Sequence, residues 1–125
     1  MKKVLFFIII SIGVIAFIPS CKKNSADLLA GAAICDTSAV SYTNDVVPIL
    51  QEYCYNCHGT HVSAAGGGII LEGYGNLANY ANNYQLAGDI SATPGYTPMP
   101  YGKPRLPSCQ LNKILAWVNQ GINDN

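Results

Sequence analysis

Three stretches of this chain carry helical periodicity. Val46, Leu50, Tyr53 and Cys57 recur at i, i+4, i+7 and i+11, the spacing of one buried face, and predict a first helix over about 44–58. Thr43 or Asn44 is its expected N-cap, and Asp45 is well placed against the helix dipole. Pro48 falls near the first turn, where a missing N–H costs least. Leu77, Tyr80, Ala81 and Tyr84 repeat the pattern over 75–84. The other face of that segment is rich in Asn, a poor helix former. Leu111, Ile114, Leu115 and Val118 form the apolar face of a final helix over 109–120, and Trp117 widens it. Ser108 is a suitable N-cap for this helix and Gly121 a natural C′ residue. Two amphipathic helices at the ends of a short domain are expected to pack on each other. Strand signals are few, so the expected class is all-α.

The intervening segments read differently. Residues 59–68 form a loop in which Gly66-Gly67-Gly68 permits either a close backbone approach to a cofactor or simple flexibility. Ile69, Ile70 and Leu71 are a short apolar patch suited to lining a pocket. Residues 93–107 carry Pro94, Pro98, Pro100, Pro104 and Pro107, with Gly95 and Gly102 among them, and exclude a regular helix. Met99 lies in this loop between two prolines, which restrict the backbone and hold its thioether at low entropic cost.

The N-terminus has another character. Lys2 and Lys3 precede an apolar run over 4–18, too short for a comfortable membrane span and typical of a signal-peptide core. The run ends in Ile18-Pro19-Ser20-Cys21, which resembles a bacterial lipobox and implies cleavage before Cys21 and lipidation of that cysteine. The expected organisation is an export signal at 1–20, a tether at 21–34 and one domain at 35–125. From Cys35 onward the charges sum to an excess of three negative, which argues against nucleic acid as a partner.

The densest chemical signal is Cys54-Tyr55-Asn56-Cys57-His58, a C-x-x-C-H of the kind that attaches c-type haem. On a helix, Cys54 and Cys57 share one face. Each thiol can form a thioether with a haem vinyl group, and His58 then supplies an axial imidazole. Export agrees with this reading, because bacterial attachment of haem c occurs outside the cytoplasmic membrane. Two rivals share the motif. A closed zinc site needs four ligands, and the remaining cysteines form no second C-x-x-C. A thioredoxin-like redox pair needs a βαβ context, for which the chain has no pattern. For the sixth position of iron, Met99 is the one thioether left once Met1 departs with the signal. His61 is too near His58 in the chain to come round to the other side. An open or water-bound iron is the other alternative.

From about 42 to 122 the chain resembles bacterial class I cytochrome c domains, in the small exported lipoprotein form. The resemblance rests on Asp45-Val46-Val47-Pro48-Ile49-Leu50 ahead of Cys54-Tyr55-Asn56-Cys57-His58-Gly59. It continues through Leu71, Tyr74, Leu77 and Met99-Pro100 to Ile114-Leu115-Ala116-Trp117-Val118-Asn119-Gln120-Gly121. One departure is the presence of Pro98 and Tyr101 around Met99-Pro100, where many relatives carry Met-Pro-Pro. The resemblance implies an all-α, cytochrome c-like domain wrapped around one covalent haem, in which the first and last helices cross. It also implies thioethers at Cys54 and Cys57, with His58 and Met99 as iron ligands. If those helices cross, Cys35 and Cys109 can meet in a disulfide. The function implied is non-enzymatic single-electron transfer between transient redox donor and acceptor proteins. The implied location is the periplasm or outer membrane of a Gram-negative bacterium, through the lipid on Cys21. The other functional classes are a haem enzyme or gas sensor with an open iron, and a haem-free structural lipoprotein held by disulfides. Lys103 and Arg105 follow Met99 closely and suit either haem propionates or plain solvation.

Overall fold

The structure is a computed structural model and describes residues 35–62 and 64–125. The export signal at 1–20, the lipidation position Cys21 and the tether at 21–34 lie outside the described residues. Within them every regular element is helical. A π-helical turn, Tyr42–Val46, leads into α1 (Val47–Tyr53) and α2 (Tyr55–His58); α3 (Tyr74–Asn82), α4 (Gln85–Ser91) and α5 (Ser108–Asn119) follow. No described helix is long and apolar enough to cross a membrane.

The first helix begins earlier than its apolar spacing suggests. Ser41, not Thr43 or Asn44, caps it: its hydroxyl accepts the Asn44 N–H at 3.2 Å, and its own N–H donates to Asp45 Oδ2 at 3.0 Å. These reciprocal bonds satisfy amides that a helix start leaves unpaired. The Val46 N–H reaches back to the Ser41 carbonyl at 3.1 Å, which widens the turn to a π register. Pro48 follows directly. In an uninterrupted α-helix its ring would press on the carbonyl four residues back, and the widened turn relieves that crowding.

The last helix ends on a Schellman motif. Gly121 adopts φ 103°, its N–H donates to Val118 O, and the Ile122 N–H donates to Trp117 O. The chain then folds back over the start of the first helix. Asn125 O accepts the Thr43 N–H at 2.9 Å and Asn125 Oδ1 accepts the Tyr42 N–H at 2.8 Å. Lys113 on α5 pairs with Asp45 in the π-helical turn. Cys35 and Cys109 are joined in a disulfide with Cα atoms 5.4 Å apart.

The core lies between these ends. Val46, Leu50, Leu77, Ile114 and Trp117 are its largest fully buried side chains. Trp117 is therefore a centre of the α5 face, beside Ile114, and not its margin; Leu111, Leu115 and Val118 are only half-buried. The Tyr42 ring stands between Tyr74 and Trp117, at centroid distances of 5.4 and 5.9 Å.

One expectation for the middle of the chain is corrected. The helix beginning near residue 75 stops at Asn82, and Tyr84 is exposed with φ 58° instead of continuing the buried face. A further helix, α4, then forms, with Leu86 and Ile90 buried one turn apart. Residues 93–107 contain no helix and are nevertheless tied down, with Leu106 buried.

The Lys113 ammonium, and then the Ser41 amide, hold the Asp45 carboxyl below its usual range. A depressed carboxyl stabilises the fold above its unfolded pKa, near 4, and that contribution is lost as pH falls through the folded value. The unfolding midpoint should therefore fall in acid below about pH 4, and Asp45→Asn should show a smaller fall there than the parent. Denaturant titration of both proteins at several pH values checks this; parallel curves would contradict it.

Candidate functional site

Helices α1 and α2 break at Cys54, whose φ of −121° lies outside the helical range. Hydrogen bonding continues across the break: the Cys54 N–H donates to Leu50 O, and the Cys57 and His58 N–H groups donate to Cys54 O. Cys54 and Cys57 thus remain on one helical turn. Cys54 is half-buried and Cys57 exposed, and both lie on a cavity of about 780 Å³ that His58 also lines. Ile69 and Leu71 form part of its wall, and Met99 reaches it from the proline-rich loop. Ile70 is not on this wall. The four chemically distinctive side chains singled out from the sequence therefore share one mostly apolar enclosure, drawn from two regions far apart in the chain. His61 is exposed and does not line it. Lys103 and Arg105 do line it, and Arg105 donates through its guanidinium to Ile90 O at 3.0 Å.

The His58 ring is held from behind. Its Nδ1 lies 3.0 Å from the Ile69 carbonyl oxygen. A carbonyl only accepts, so Nδ1 carries a proton, and in the neutral ring the lone pair lies on Nε2. This is the arrangement by which proteins orient a metal-binding imidazole. The Leu71 N–H closes the same turn onto His58 O at 2.8 Å. Gly66 packs against the ring so closely that a Cβ there would collide with Nδ1 and stand 2.6 Å from Cys57 O. Close approach is thus the structural demand at Gly66. Gly67 and Gly68 have positive φ and open space around them.

Gly66→Ala should displace the ring or break its bond to Ile69, at a cost of about 1–3 kcal/mol typical of overpacking. The denaturant midpoint measures this, and an unchanged midpoint would count against the close contact.

Glu72 fixes the loop beyond His58. One carboxylate oxygen accepts both the N–H and the hydroxyl of Thr60, at 2.8 and 2.7 Å, and these bonds lower the Glu72 pKa. The Cys54 thiol has the opposite tendency: burial pushes its pKa up to about 11. Among the described residues no three His, Cys, Asp or Glu side chains are grouped to hold a metal ion.

No protein family, curated protein or solved structure matches this chain. The site itself is therefore the ground for any functional reading.

One part of the site had no sequence signal strong enough to single it out. Asp89, on α4, is 4% exposed and is the buried charged residue of the described chain. Its carboxylate accepts the Tyr80 hydroxyl at 2.6 Å and the Thr97 N–H at 3.0 Å. Burial, and then this bond to Asp89, push the Tyr80 pKa up to about 12, so the phenol stays a donor near neutrality. Nothing in the local sequence marks the partners of Asp89.

Proposed function

We propose that this protein is a single-electron carrier with one covalent c-type haem, anchored to a bacterial membrane through a lipid on Cys21. The observation that carries the haem reading is the convergence of Cys54, Cys57, His58 and Met99 on one largely apolar cavity. Its volume falls within the range of about 300–1,000 Å³ usual for cofactor sites. The donor set fits the group: two thiols for thioether bonds, and one imidazole and one thioether that would serve as iron ligands. When bound, the haem supplies the one-electron iron couple. Cys54, at the break before α2, and Cys57, on α2, would hold it covalently; the Ile69 carbonyl and Gly66 fix the His58 ring, and the apolar wall would keep water from the iron. A His/Met pair raises the reduction potential relative to two nitrogens and leaves no coordination position for a substrate, which supports electron transfer over catalysis. Redox partners would dock transiently through a small interface.

The rival chemistries have less support. Cys35 and Cys109 are bonded to each other and are lost to any four-ligand zinc site. A working redox dithiol has a lowered thiol pKa, whereas burial raises that of Cys54. Export and lipidation rest on the sequence of residues 1–21.

Expression of the full chain in a host that matures c-type cytochromes tests the proposal. The expected product is coloured, keeps its haem through denaturing extraction, and shows sharp α and β bands when reduced. Its oxidised form shows the weak far-red band of a thioether–iron bond, and its reduced form does not bind carbon monoxide. Cys54→Ser/Cys57→Ser should lose covalent haem entirely. A colourless parent would point to a haem-free lipoprotein, and ready carbon monoxide binding to an open iron.

A further inference from the structure

The loop that carries Met99 has neither helix nor strand, yet a ligand loop must return one side chain to one place. Its fixed points converge on the end of α4. The Met99 N–H donates to the main-chain oxygen of Asp89 at 3.0 Å, and the Thr97 N–H donates to Asp89 Oδ1 at 3.0 Å. The Thr93 N–H donates to Gly88 O at 2.9 Å. Gly88 lets the Tyr96 ring lie directly on the helix, where any Cβ would collide with it. The other carboxylate oxygen of Asp89 is held by the Tyr80 hydroxyl from α3. No buried side-chain polar atom among the described residues lacks a partner. Asp89 therefore uses both carboxylate oxygens and its carbonyl to join α3, α4 and the loop.

We infer that Asp89 is a positioning residue for Met99, holding the loop so that the thioether stays at the cavity. The inference rests on the reading of Met99 as an iron ligand. A buried carboxylate is costly to desolvate unless its hydrogen bonds are complete. Here they are completed by the loop amide two residues before Met99 and by the phenol of a neighbouring helix. A neutral acceptor of the same shape serves the same geometry, so the required feature is the pair of hydrogen bonds and not the charge.

The test uses the full-length, haem-matured protein. Asp89→Ala removes both side-chain bonds. Asp89→Asn keeps a carbonyl for the Thr97 amide and an N–H for the Tyr80 oxygen. In Asp89→Ala the far-red thioether–iron band should be lost and the reduced protein should bind carbon monoxide; Asp89→Asn should behave as the parent in both respects. A merely structural role would lower thermal stability in the alanine variant and leave the band in place, and that result overturns the inference. Equal loss of the band in both variants also overturns it. Amide exchange in the unsubstituted protein is the second arm and does not depend on a variant folding. Thr97 and Met99 should exchange at least about tenfold more slowly than Gly102 in the same loop; equal rates overturn the inference. A parent without covalent haem would sink the haem reading, while the exchange arm still decides whether Asp89 holds the loop.

Discussion

Opening the Cys35–Cys109 bridge will destabilise the domain by about 4 kcal/mol, because it closes a loop of some 75 residues in the unfolded chain. That is a large share of the roughly 5–15 kcal/mol that holds a typical domain together. The effect has a structural side as well. The bridge fastens the segment before the first helix to the first turn of α5. Beyond it, that segment is held by the buried Val40 side chain and by Gln120, whose Oε1 accepts the Val40 N–H at 3.0 Å and whose Nε2 donates to Thr37 O at 2.9 Å. Cys35→Ser/Cys109→Ser should lower the thermal midpoint by on the order of 20 °C for a domain of this size. The helical circular dichroism signal at low temperature should be retained. Thermal scans of parent and variant, without reductant, measure the difference. A shift of only a few degrees would show that the two ends hold together without the bridge.

Trp117→Ala will cost about 3–5 kcal/mol, the range for deleting a buried aromatic side chain. Trp117 is fully buried, lies against Tyr42, and donates its indole N–H to Asn123 O at 2.9 Å. Alanine leaves a cavity beneath the π-helical turn and removes the donor that holds the C-terminal tail. Trp117→Phe restores most of the packing and loses the bond, so it should cost about 1–2 kcal/mol. Urea titration separates the two: both midpoints should fall with the slope unchanged, and the alanine midpoint should fall further. Equal losses would assign the effect to the hydrogen bond instead of the packing.

How much of this was legible beforehand differs from element to element. The final helix is announced by Leu111, Ile114, Leu115 and Val118, and its extent differs from the expectation by a single residue at each end. Residue type alone does not locate the start of the first helix, because Thr43, Asn44 and Ser41 are all competent caps. The bond from Asp45 back to Ser41, and the tail oxygens of Asn125 on Ser41, Tyr42 and Thr43, select Ser41. Tyr84 fitted the periodicity of α3 and yet turns outward, because the chain must reverse there to bring Leu86 and Ile90 into the same core. Helix α4 has no clear signature in the sequence, because seven residues with a central Gly88 carry little propensity. Gly88 is instead the point where the Tyr96 ring comes to rest.

The sequence by itself determined the all-α class of the described residues, the helical turn that carries Cys54, Cys57 and His58, and the exclusion of helix from the proline-rich loop. Each is a local property, set by apolar spacing, motif spacing or the missing proline N–H, and each can be read within one window of chain. The tertiary structure decided what lies behind those side chains. It brought the Ile69 carbonyl to His58 Nδ1, made room for the ring at Gly66, and placed Asp89 beneath the loop that carries Met99. These pairings join backbone carbonyls, a glycine and a carboxylate across gaps that no periodicity spans. Burial sets their energies, and burial exists only once the helices have packed.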